Sequence, residues 1–304
     1  TMILKPSEEC PTCAAIFAEI LDAAGVPAGV FNLVQGDGPG VGVALTVHPD
    51  VDMVSFTGST RAGIQIAKNA ADTVKRVHQE LGGKSAQIFL PDRVEAAYTA
   101  AMGVCLAHAG QGCVLGTRIF VPQDRKAEVL EGMKASMAYA KIGDSTDPTT
   151  TMGPVISEAQ VGRCERYVRL AVEAGATVVS GGKRADRPGF FFEPTILDVP
   201  DNKNPSAQDE IFGPVVSVIG YRDVEHAIEM ANDTSLGLSG YVFGKDARQA
   251  LDVAKRIRTG TINVNAFFAS ANSSSGGVKM SGIGRERGVE GIRAFQDVQV
   301  MNLG

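Results

Sequence analysis

No stretch of the chain approaches the roughly 20 consecutive apolar residues of a membrane-spanning helix, and its first residues, TMILKPSEEC, lack the basic region followed by an apolar one that marks an export signal. A cytoplasmic protein with no membrane partner is expected. Positive charge is not in excess either: 29 Lys and Arg face 34 Asp and Glu, a net charge of -5. Such a balance provides no broad attraction to nucleic acid or an anionic membrane and leaves small molecules as the expected partners. Five cysteines, an odd number in a chain of ordinary size, argue against a secreted disulfide framework. Cys10 and Cys13 form a C-x-x-C, the pattern of half a zinc site or of a redox pair, but no second cysteine pair or histidine cluster follows at ligand spacing, so no metal site is expected. Cys105 and Cys164 fall in helical patterns, where a free cysteine behaves as a small buried hydrophobe. Internal repeats, low-complexity tracts and the literal G-x-G-x-x-G fingerprint are also missing.

What remains is an ordinary globular composition, 44% hydrophobic and 21% charged, over 304 residues, long enough for two domains. Short apolar runs alternate with helical periodicity. TMILK, VFNLVQG and DMVSFTG read as strands, with helices over 12–24, 40–46 and 60–70. KRVHQEL and SAQIFL supply two more strands, and 94–109 reads as one helix. Beyond residue 117, helices near 125–138, 158–174, 224–231 and 247–257 separate the strand-like TVVSGG, VVSVIGY, YVFG and TINVN. This order predicts an α/β protein with a parallel sheet. A doubly wound sheet normally opens with a strand and a glycine-bearing turn, whereas this sequence starts directly at TMILK, so an upstream portion is expected to be missing.

Three kinds of residue point to chemistry. Cys113 lies in HAGQGCVLG among Gly110, Gly112 and Gly116, where little bulk surrounds the sulfur, and dipoles and amides at the end of a helix can tune such a thiol towards its thiolate. His108 is too close along a helical run to serve as an obvious partner and reads as a surface or packed histidine. Glu80 ends a strand-like run before Gly82 and Gly83; partial burial would raise its pKa towards that of a general base, although an isolated glutamate is more often structural. QDEIFGPV repeats the motif of an acidic residue beside an aromatic and a Gly-Pro turn. Gly58, Ser59 and Thr60 sit between a strand and a helix, where unpaired N–H groups suit an anion, though they read equally well as a helix cap. Lys5 and Glu8 follow the first strand, at the edge where such sheets bind nucleotides.

Ten segments in order, KPSEECP, VPAGVFNLVQGDG, FTGST, ELGGK, GQGC, TTMGPVIS, GFFFEPTIL, EIFGPV, GTINVN and GGVKMSGIGRERG, make the chain resemble the aldehyde dehydrogenase superfamily over nearly its whole length. The resemblance implies an aldehyde dehydrogenase-like fold: a partial Rossmann-type cofactor domain over 1–83, a second, catalytic α/β domain over 84–286 and a C-terminal segment, 287–304, with a strand that pairs between subunits of a homodimer or homotetramer. It implies NAD(P)-dependent oxidation of an aldehyde to a carboxylic acid, with Cys113 as the nucleophile that forms a thiohemiacetal and then a thioester, and Glu80 as the base that activates water. Cofactor contacts fall to Lys5 and Glu8 at the adenosine ribose, Ser59 with Gly58 at the pyrophosphate, Glu210 at the nicotinamide ribose, and Leu81 and Phe212. An acidic Glu8 favours NAD, while Lys5 leaves NADP open. The chain departs from the pattern at His108, Gln87 and Ser274–Ser275, and in lacking the family's N-terminal portion with its second oxyanion donor. Phe267 and Phe268 are candidates for the substrate tunnel, or simple packing. Competing readings are a thioester-type esterase that works without nucleotide and a catalytically impaired nucleotide-binding remnant; a CoA-acylating variant is disfavoured by the presence of Glu80.

Overall fold

A computed structural model describes residues 1–267, 270 and 272–304. The chain folds as two compact units, one of residues 1–57 and 61–78, the other of residues 58–60 and 79–304. Residues 80–84, ELGGK, lie in the second unit.

The first unit opens with β1 (Met2–Leu4), α1 (Pro11–Ala23) and β2 (Phe31–Leu33), then α2 (Val43–Val47), β3 (Met53–Thr57), all but the first residue of α3 (Thr60–Ala70) and the start of β4 (Arg76–Glu80). Proline at the first helical position, where no N–H is needed, starts α1. β1 and β2 pair in parallel only with each other. None of the residues of α1 is buried, and Ile16, Phe17 and Ile20 are exposed.

The second unit continues through β5 (Ala86–Phe89), α4 (Ala100–Leu106), β6 (Arg118–Pro122), α5 (Lys126–Met137), α6 (Glu158–Glu173), β7 (Thr177–Ser180), β8 (Thr195–Val199), α7 (Pro205–Gln208) and β9 (Val215–Tyr221). It ends with α8 (Val224–Asn232), β10 (Leu236–Gly237), β11 (Ser239–Phe243), α9 (Ala247–Ala254), β12 (Thr261–Val264), β13 (Val278–Lys279), β14 (Gly282–Ile283) and α10 (Gly288–Arg293). Its main sheet has seven strands in the order β12-β11-β5-β6-β9-β8-β7, parallel throughout except for the antiparallel edge pair β7/β8. Helices cover both faces, so its central strands are apolar without alternation. On β6, Phe120 packs with residues of α6, α8 and α9, while Ile119 and Val121 pack with residues of α4 and α5. Asp223 and Asp246 cap α8 and α9 by accepting backbone N–H groups.

The expected helix over 94–109 is broken. A tight helical turn covers Pro91–Thr99, α4 follows, and His108, Ala109 and Gly110 all take positive φ (50°, 52° and 73°), which ends the helix and turns the chain towards Cys113. A side chain on Gly110 would strike the Gly213 carbonyl. In the C-terminal segment, residues 294–304 form no strand within the chain.

One polar group lies deep in this unit. Arg118, 1% exposed, donates to the carbonyls of Lys84 (2.9 Å), Met230 (2.9 Å) and Ala231 (2.9 Å) and to Asn202 (3.0 Å), so four of the five N–H donors of this buried cation are engaged. Beside it Lys84, also buried, has its pKa lowered to about 7, first by desolvation and then by the Arg118 charge, against the pull of Glu210 and Asp209.

Phe120→Ala, which empties a fully buried site, is expected to cost about 3–5 kcal/mol in urea unfolding, whereas Tyr139→Ala, at a site 82% exposed, should change stability by under ~0.5 kcal/mol; equal effects would contradict this packing. Lys84 also makes stability depend on pH. Unfolded, its pKa is 10.5 and folded about 7, so between these values the unfolded chain binds the extra proton and stability rises with pH, by up to ~1.4 kcal/mol per unit. Lys84→Met should remove that slope, and an unchanged slope would show that the lysine stays charged in the folded state.

Candidate active site

Strand β4 delivers Glu80 and then leaves the sheet at two glycines. Its end pairs with β14, Glu80 opposite Gly282, and Leu81 N–H reaches the Ser281 carbonyl at 2.8 Å. Ser281 Oγ accepts from Gly237 N–H (2.8 Å) and donates to the Gly82 carbonyl (2.7 Å), fixing the turn from the other side. A Cβ on Gly82 would collide with the Glu210 carboxylate, and one on Gly83 with the Cys113 carbonyl oxygen. These two bare positions allow the strand end, the cysteine loop and the Glu210 loop to meet. Gly83 N–H also donates to Glu210 Oε1 at 2.9 Å.

Glu80 is 8% exposed. Its carboxyl lies against the glycine-rich loop before β14, where it accepts a hydrogen bond from Gly277 N–H. A side chain on Gly276 would come within 2.8 Å of Glu80 Oε1. Burial, helped by the charge of Glu286, lifts its pKa to about 7 against the opposing pull of Arg285 and the Gly277 amide. A carboxyl in that range can exchange protons near neutrality.

Cys113 is half-buried in the 110–116 loop. Gln87 Nε2 donates to the Gly116 carbonyl (2.8 Å) and Tyr241 Oη to the Val114 carbonyl (2.9 Å), fastening the loop to β5 and β11. The expected tuning towards thiolate is not what the structure shows. Backbone N–H groups of Cys113 and Val114 do pull its pKa down, but desolvation first, then the charges of Glu210 and Glu80, push it up. Two carboxylates beside a desolvated sulfur outweigh two amides. His108 is exposed and touches the loop only through its backbone carbonyl, which accepts from Gln111 Nε2 at 3.0 Å. Cys105 and Cys164 are buried, their thiols pushed up to about 12 by burial, as expected of packed cysteines.

The Glu210–Phe212 turn is held by residues that sequence reasoning missed. From α6, Gln160 Nε2 donates to the carbonyls of Ile211 (2.9 Å) and Phe212 (2.7 Å), Arg163 Nε donates to Ile211 (2.9 Å) while its Nη2 reaches the Glu210 carbonyl, and Tyr167 Oη donates to Asp209 (3.1 Å). This clamp keeps Phe212 in a left-handed conformation, φ 60°, 39% exposed. Burial raises the Glu210 carboxyl, opposed by Gly83 N–H, Lys84 and Arg163. The available signal was the spacing 160, 163, 167, a polar and aromatic ridge on one helical face beside the apolar one.

Gly58 N–H donates to the Glu80 carbonyl (3.1 Å), which places Gly58 and Ser59 at the start of α3, whose first turn carries no acidic residue. A helix start of that kind suits a pyrophosphate. Lys5 and Glu8 lie in the first unit, after β1, as an ion pair of 3.8 Å, with Lys5 Nζ also donating to the Gly36 carbonyl at 3.0 Å. The Glu8 carboxylate is 56% exposed and open to a diol. Within the second unit the structure thus brings together Glu80, Leu81, Cys113, Glu210 and Phe212, and places Gly58 beside the strand end; Lys5 and Glu8 form a separate local group. Within the second unit the donor set suits part of a dinucleotide, with an anion-compatible helix start at Gly58 and Ser59 and the Glu210 carboxylate to accept from ribose hydroxyls. Phe267 packs its ring against Phe243 (5.1 Å) and Tyr241 (6.2 Å), while Phe268 lies outside the described residues. Among the described residues no group of three or more His, Cys, Asp or Glu could hold a metal ion, and no helix is long and apolar enough to cross a membrane.

Comparisons with known proteins agree with this picture. The sequence profile described as the Aldehyde dehydrogenase family matches residues 1–301. A putative aldehyde dehydrogenase of Staphylococcus haemolyticus is 45% identical over 302 residues, 98% of this chain and 64% of that protein; one from Staphylococcus saprophyticus is 44% identical over the same shares. Among solved structures, a mutant of aldehyde dehydrogenase C from Pseudomonas syringae, complexed with NAD+ and octanal, superposes with a TM-score of 0.94 at 42% identity, covering 97% of this chain and 62% of that one. Aldehyde dehydrogenase from Mycobacterium tuberculosis complexed with NAD+ gives the same TM-score and coverage at 41% identity. The chain spans 62–64% of the length of these relatives. Its sequence, its α/β architecture and the gathering of Glu80, Cys113 and Glu210 around one glycine pair agree: this chain belongs to the aldehyde dehydrogenase family.

Proposed function

We propose that the chain carries the catalytic machinery for NAD-dependent oxidation of an aldehyde to a carboxylic acid. The convergence of Cys113, Glu80 and Glu210 on Gly82 and Gly83 carries this reading. Cys113 Sγ attacks the aldehyde carbonyl carbon as the thiolate, its proton having passed to solvent. The resulting oxyanion is stabilised by backbone N–H groups of the loop, beginning with that of Cys113. A bound NAD-type dinucleotide supplies the acceptor for the hydride that leaves the thiohemiacetal, and this conversion yields a thioester on Cys113. Glu80 then takes a proton from water, which attacks the thioester and frees the acid and the thiol. Glu210 and Phe212 hold the nicotinamide end, Leu81 lies beside them, Gly58 and Ser59 hold the pyrophosphate, and Lys5 with Glu8 holds the adenosine ribose. The carboxylate of Glu8 favours NAD over NADP by repelling a 2'-phosphate.

We further infer assembly as a homodimer or homotetramer through the C-terminal segment, in which Val298, Val300, Met301 and Leu303 are exposed, and a cytoplasmic location.

NADH formation across aldehydes of graded length and charge tests the reading, and cleavage of a nitrophenyl ester tests the thiol and base without nucleotide. Cys113→Ser should abolish both activities. Glu80→Gln should slow deacylation about 100-fold or more. Because the working form of Glu80 is deprotonated, the wild-type rate should rise as pH increases through about 7, and this step should be absent from the Glu80→Gln profile. Full dehydrogenase activity in Cys113→Ser would refute the assignment; ester cleavage without NADH formation would favour the esterase reading.

A further inference from the structure

Two of the five cysteines stand apart from the site and from the core. Cys10 caps α1 and Cys13 is its third residue, with proline and threonine between them. Both are exposed, whereas Cys105 and Cys164 are buried and Cys113 is half-buried. The Cys10 thiol interacts with Cys13, which favours its protonated form. Residues three apart at a helix start lie on one face, with Cβ atoms ~5–6 Å apart, and a disulfide needs Cβ atoms ~3.5–4.5 Å apart. The remaining distance is small, and the cap can supply it. Cys10 has non-helical dihedrals (φ −141°, ψ 57°) and its side chain makes no capping bond, so its rotation breaks no helical hydrogen bond. No residue of α1 is buried, so closure disturbs no core packing. Two thiols are too few for a closed metal site, and no third ligand joins them among the described residues.

We propose that Cys10 and Cys13 form a redox-active dithiol that takes low-molecular-weight disulfides as its substrates and closes to a disulfide within the first turn of α1. The thiolate of Cys13 attacks one sulfur of the small disulfide; that S–S bond breaks, one small thiolate leaves, and a mixed disulfide forms on Cys13. The Cys10 thiolate then attacks the Cys13 sulfur and expels the second small thiolate. The protein loses two thiol hydrogens and gains one S–S bond, and the small disulfide is reduced to two thiols. This chemistry is independent of the dehydrogenase reading, since neither cysteine belongs to the proposed catalytic group.

The test equilibrates the chain with hydroxyethyl disulfide and mercaptoethanol over a range of ratios, followed by acid quenching, intact mass measurement and peptide mapping. The expected product is lighter by two hydrogens, carries no adduct on Cys10 or Cys13 and has a cross-link between them. Its fraction should depend on the square of the mercaptoethanol concentration divided by that of the disulfide. Cys10→Ser should instead stop at a single mercaptoethanol adduct on Cys13, with an unchanged circular dichroism spectrum. Phenylarsine oxide, which bridges paired thiols, should bind this segment one to one in the wild type and not in Cys10→Ser or Cys13→Ser. Separate adducts on both cysteines of the wild type, a first-power dependence on mercaptoethanol, or failure of the segment to oxidise would each overturn the proposal.

Discussion

Two missing side chains set the geometry on which the site depends. Gly82 and Gly83 end β4 with bare backbone, and the space that two methyl groups would occupy is filled by the Glu210 carboxylate and the Cys113 carbonyl. The Gly83 N–H is thereby free to hold Glu210 at 2.9 Å across 127 residues of sequence. Every other fastening works towards the same meeting point: Ser281 from the β14 side, Gln87 and Tyr241 on the cysteine loop, and Gln160 with Arg163 on the Glu210 turn. The seven-stranded sheet supplies rigid origins for these loops, and the loops carry the chemistry.

The same crowding determines the electrostatics. Glu80, Glu210 and Cys113 share a partly dehydrated region, and each is pushed towards its neutral form. For Glu80 this is useful, because a carboxyl with a pKa of about 7 both accepts and returns protons near neutrality. For Cys113 it is a restraint, since the thiolate is disfavoured while two acidic groups face it. A positively charged ligand entering this region would ease all three ionisations, and the oxidised nicotinamide ring has that sign.

Much of the fold was legible because it depends on local periodicity. The helix over 60–70 and the strands ending at Thr57, Glu80 and Phe89 follow from patterns a few residues long, and the spacing of Val161, Cys164, Val168 and Ala171 gave α6. The stretch 94–109 misled because its apolar spacing runs on past the point where three successive left-handed residues end the helix, a conformation imposed by the packing of Gly110 on Gly213. Strand β8 escaped notice inside GFFFEPTIL. The α6 clamp was illegible because its partners lie 47–52 residues away, and the direction of the Cys113 shift because it depends on carboxylates brought close only by folding. Motif resemblance supplied the roles proposed for Cys113, Glu80 and Glu210; the fold brings the three together around Gly82 and Gly83.

The central claim is that a covalent acyl group passes through Cys113. Glu80→Gln, which retains the thiol but slows its release, should accumulate that group when mixed rapidly with aldehyde and NAD and quenched in acid. Intact mass followed by peptide mapping should then find one acyl adduct per chain, on Cys113, together with one equivalent of NADH. A burst of NADH with the cysteine unmodified, or an adduct on another residue, would contradict the account.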